Sequence, residues 1–73
     1  MRPQIQVFYE LELIGVNDTF VEKFSHIFDR EIYNSDVEGT DVMMVNFKMQ
    51  ELKEKYSDAL LLEFSVERGE VSH

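Results

Sequence analysis

The sequence predicts an α+β domain, and three stretches carry that prediction. Ile5, Val7, Tyr9, Leu11 and Leu13 alternate with Gln6, Phe8, Glu10 and Glu12. That is the period of a strand with one buried face. Near the other end Leu60, Leu62, Phe64 and Val66 alternate with Leu61, Glu63, Ser65 and Glu67. Between them Phe20, Val21, Phe24, Ile27, Phe28 and Ile32 recur at helical spacing, with Glu22, Lys23, His26, Asp29 and Arg30 on the other side.

Each element has its own punctuation. Pro3 precedes the first strand and Gly15 ends it. Thr19 followed by Glu22 matches the capping-box spacing, with Asn17 and Asp18 as competing caps. Asn34 supplies a C-terminal stop. The charged run "ERGE" closes the last strand, and the terminal "VSH" is expected to fray.

Residues 41–57 admit two readings. As one helix, Val42, Val45, Met49, Leu52 and Tyr56 form a stripe, while Met43, Met44 and Phe47 are thrown onto the exposed side. As a strand, Met43, Val45, Phe47 and Met49 share the core face, and "QELKEKY" becomes a helical turn held by Glu51 and Lys55. The strand exposes fewer large side chains, which favours the order β-α-β-β. The expected sheet has three strands in the order 1-3-2, with the apolar "ALLLEF" in the centre and one helix packed on one face. The alternative is β-α-α-β.

The 73 residues are expected to form a single small domain with an ordered core over about 4–68. There is no cysteine, hence no disulfide framework and no thiolate metal site. No apolar run reaches the length of a bilayer span, and the N-terminus lacks a basic-then-apolar signal pattern. A cytoplasmic protein that does not bind membranes is expected. A formal charge of -8 repels nucleic acid and anionic lipid and favours a basic partner.

Catalytic and metal motifs are weak. Counted from Asn34, the stretch "YNSDVEGTDV" offers Asn34, Asp36, Glu38 and Gly39 where a calcium loop wants them. Position 12 is Val45, however, which cannot ligate, and position 8 is Asp41. The stretch reads as a solvated acidic connection. Ser25 and His26 are adjacent on a predicted helix and point about 100° apart, so they cannot form a nucleophile–base pair. The glycines are isolated, without a phosphate-cradling loop. No enzyme activity, cofactor or metal is expected.

The face of the sheet away from the helix is the expected site. It is expected to carry Phe8, Glu10, Glu12, Met44, Leu61, Glu63 and Glu67, apolar anchors ringed by acids. Same-face strand residues lie roughly 6.6 Å apart, near the spacing of phosphates on a nucleic-acid strand. Carboxylates so spaced suit a protein surface built for phosphates. The function expected is that of a small acidic regulator, an inhibitor or adaptor, which binds a basic and in the sharper version nucleic-acid-binding surface of another protein. The alternative is a structural homodimer subunit with no inhibitory role, closed by the same face.

Overall fold

Val7, Tyr9, Leu11 and Leu13 are almost fully withdrawn from solvent, and the strand that carries them is the middle of the sheet. The computed structural model describes residues 2–70, so the "VSH" end lies outside the described residues. The elements run β1 (Gln4–Ile14), β2 (Thr19–Asp29), α1 (Arg30–Ser35), α2 (Val37–Lys55) and β3 (Leu60–Glu70). The sheet is antiparallel in the order β2-β1-β3, and α2 crosses over one face. The class is α+β. The order is β-β-α-α-β rather than β-α-β-β, and the first strand, not the last, is central.

β2 overturns the expected helix. Phe20, Phe24 and Phe28 are four residues apart, which places them on one side of a helix and equally on one side of a strand. Val21 and Ile27 resolve the ambiguity by pointing to the other face, opposite Glu12 and Gln6. The β-branched and aromatic content of Thr19–Asp29 suits a pleated ribbon. The expected cap is part of the hairpin instead: Gly15 N donates to the Asp18 carbonyl at 2.7 Å, and the Asp18 carboxylate accepts from Thr19 N at 2.9 Å.

α2 overturns the expected middle strand. Asp36 is its N-cap and accepts from Gly39 N at 3.0 Å, where the missing side chain leaves room for the carboxylate. The inward side is Asp41, Met44, Val45, Lys48, Met49 and Leu52, spaced by three and four. Two of those six are charged, and Val42, Met43 and Phe47 lie outward, so apolar residues surround the helix and blur its stripe. The "YNSDVEGTDV" stretch is therefore the end of α1, a cap and the first turns of α2. Asp41 within it is 5% exposed, not solvated.

A bulge shifts the start of β3. Glu12 pairs with Glu63, but Leu13 pairs with Leu61, so Leu62 is the extra residue. Leu61 turns inward against the core and Leu60 outward, the reverse of simple alternation. Beyond the bulge the expected faces hold: Phe64 and Val66 pair with Leu11 and Tyr9, and Ser65 and Glu67 with Glu10 and Phe8. The strand continues past the expected limit to Glu70. Among the described residues no helix is long and apolar enough to cross a membrane.

Because Phe47 is 59% exposed on α2, Phe47→Ala should cost under about 0.5 kcal/mol in urea unfolding. Leu52→Ala, on the buried side, should cost about 2–5 kcal/mol.

Candidate interaction face

The uncovered face of the sheet is assembled from the alternate residues of all three strands. β1 supplies Gln6, Phe8, Glu10, Glu12 and Ile14 along the middle. Opposite them β2 supplies Ile27, Ser25, Lys23, Val21 and Thr19, while β3 supplies Gly69, Glu67, Ser65, Glu63 and Leu60. Phe8, Glu10, Glu12, Glu63 and Glu67 thus share one face. Met44 and Leu61 do not: Met44 lies on α2 against the core, and the bulge turns Leu61 to the helix side.

The face is hollow because its neighbours in the centre are small. Ser25 stands across from Phe8 and Ser65 across from Glu10. The resulting open trough of about 820 Å³ is lined by Phe8, Glu10, Lys23, Ser25, Ser65 and Glu67, among others. Phe8 in its lining is 45% exposed, and Val21 and Ile27 elsewhere on the same face are 53% and 46% exposed.

Four carboxylates stand on this face against one ammonium group. Lys23 reaches Glu10 at 3.4 Å, an exposed pair worth little. Glu12, Glu63 and Glu67 have no ion pair among the described residues. Glu12 and Glu63 are directly opposed across the strands, an arrangement that disfavours the isolated sheet.

The opposite side of the sheet holds a buried polar cluster that sequence reasoning missed. Tyr9 Oη donates to Asp41 Oδ1 at 2.8 Å, and Tyr33 Oη donates to the same carboxylate at 2.8 and 3.0 Å. Arg68 Nε donates to Tyr33 Oη at 2.7 Å, and its Nη2 reaches Asp41 Oδ2 at 2.9 Å. Burial, reinforced by the hydrogen bond to Asp41, pushes the Tyr9 phenol far above its ordinary range. Burial also raises Tyr33, against the opposing pull of Arg68. Among the described residues no buried side-chain nitrogen or oxygen lacks a hydrogen-bond partner, so the cluster is satisfied within the fold. The hydrogen-bonded pairs are 8 to 35 residues apart, so no local spacing announces them.

Of the other candidates, Ser25 and His26 occupy opposite faces of β2, and His26 rests against the Phe28 ring at 4.6 Å. Val21, Lys23, Ser25 and Ile27 are face residues that the helical reading of this segment concealed. The signal for them is the β-branched pair Val21 and Ile27 and the alternation of all four with Phe20, Glu22, Phe24, His26 and Phe28. No family model, no curated protein and no solved structure matches the chain.

The cluster has two measurable consequences. Removing the shared acceptor by Asp41→Ala should cost about 3 kcal/mol in urea unfolding, and Tyr33→Phe about 1–2 kcal/mol. The fold should also weaken at alkaline pH. Unfolded tyrosines ionise at about pH 10, while Tyr9 and Tyr33 hold their protons in the fold. The folded state then binds more protons than the unfolded one, so stability declines as pH rises above that value. Urea midpoints should be flat for these groups below it, and the decline above it should be smaller in a Tyr9→Phe, Tyr33→Phe double variant.

Proposed function

We propose that the chain is a stoichiometric protein-binding regulator that docks the bare face of its sheet on a basic surface of a partner protein. The observation that carries this reading is the opposed Glu12–Glu63 pair, beside Glu67 and the half-exposed Phe8, on a face that nothing in the described chain covers. Opposed like charges are unfavourable alone and become favourable when a cationic group is laid across them. Phe8, Val21 and Ile27 on this face give such a partner something to desolvate. The row of same-face acids further suits a partner whose surface is built for phosphates, and the formal charge of -8 steers in that direction.

The test uses a partner captured from the native host and then purified. Glu12→Lys with Glu63→Lys exchanges one like-charge pair for another, so the fold should be little changed. Association should slow about tenfold and lose salt dependence. Phe8→Ala should mainly speed dissociation. Glu51→Lys with Glu54→Lys, on exposed positions of α2, makes the same change in total charge away from the face. Equal weakening by both double reversals would leave only bulk acidity, and no weakening by either would place the contact elsewhere.

A further inference from the structure

The two outer strands of the sheet each have one unpaired edge, and the two edges differ in what they can pair with. β2 reads as its own complement. Laid antiparallel against a second β2 about its midpoint, Phe24 meets Phe24, Phe20 meets Phe28, and Val21 meets Ile27. Glu22 meets His26, Lys23 meets Ser25, and Thr19 meets Asp29. All eleven residues find a partner of like apolar character or of complementary polarity. β3 treated the same way places Glu63 opposite Glu67 twice and Leu62 opposite Arg68, with the bulge interrupting the ladder. We propose that two copies of this chain join β2 to β2 in that register, giving a continuous six-stranded antiparallel sheet.

The hydrogen-bond phase fits. Gly15 N donates to the Asp18 carbonyl, and the ladder beyond it runs without a shift from Ile14/Thr19 onward. Counting from that bond, the even residues of β2 bond to β1 and the odd ones aim their N–H and C=O outward. In the midpoint register odd residues meet odd residues, which closes roughly a dozen backbone hydrogen bonds. The even pairs then fall at the closely spaced positions, where Phe24–Phe24, Phe20–Phe28 and Glu22–His26 gain most from side-chain contact. Phe20, Phe24 and Phe28 are only partly buried in the single chain. A two-fold axis normal to the sheet keeps both helices on one side and leaves the bare acidic face open, doubled in length. The dimer therefore forms with or without the partner proposed above.

Light scattering over a wide concentration range should give a reversible equilibrium between one chain and two. Ser25→Pro removes an outward N–H, which an edge strand tolerates, and should weaken the dimer at least tenfold while the chain stays folded. Glu22→Lys should weaken it similarly by setting an ammonium group opposite His26. Adding His26→Glu to Glu22→Lys should restore it, although the lost contact between Glu22 and Lys48 at 3.8 Å stays lost. The amides of Val21, Lys23, Ser25 and Ile27 should gain exchange protection with concentration. A chain that stays monomeric, a dimer indifferent to Ser25→Pro, growth into polymers, or no rescue by the double variant would each overturn the proposal.

Discussion

The Asp41 carboxylate is the point on which this fold closes. It sits 5% exposed near the start of α2 and is held by Tyr9 of β1, Tyr33 of α1 and Arg68 of β3. A charge placed there without partners would be strongly unfavourable, so the four groups must assemble together. The requirement fixes where α2 lies along the sheet. It also holds β3 against the helix at Arg68, close to the end of the strand. Phe24 and Phe28 stack on the two tyrosines, at 4.9 and 5.1 Å between ring centres, which carries the constraint across to β2.

With β1 in the middle, a single helix has one face to cover and cannot reach the other. The buried apolar residues are accordingly few and concentrated on β1: Val7, Tyr9, Leu11 and Leu13, joined by Tyr33, Val45, Leu52 and Ala59. The rest of the apolar content is spread over the bare face, the two edges and the outward side of α2. Small domains bury a limited share of their surface, and this one leaves its surplus in positions where other chains can reach it. The proposed recognition uses the acids on the bare face and the proposed dimer uses the self-complementary edge of β2, so the two do not compete for the same surface.

The strand that carries most of the core was legible in the residues. From Gln4 to Ile14, alternation of large apolar and polar side chains left one assignment, because Val7 and Leu11 fill the positions between Ile5, Tyr9 and Leu13, and a helix would turn them to its opposite side. The same holds for Glu63, Ser65 and Glu67, whose face follows from the parity of β3 beyond its bulge. Phe8, Glu10, Glu12, Glu63 and Glu67 could thus be placed together from sequence. Composition likewise established a strongly acidic chain without cysteine, whatever its fold.

Tertiary structure decided the remainder, for definable reasons. Phe20, Phe24 and Phe28 satisfy both the helical and the strand period, and only pairing with β1 selects between them. α2 hides its pattern because its inward side includes Asp41 and Lys48: Asp41 is held by Tyr9, Tyr33 and Arg68 from other elements, and Lys48 by Glu22 of β2 as well as Glu51 of its own helix. The inversion of Leu60 and Leu61 depends on one extra residue in the ladder, and a bulge has no spacing signature of its own. Local alternation is a property of the chain. Which strand lies in the middle, and which charge is buried, are properties of contacts between segments dozens of residues apart.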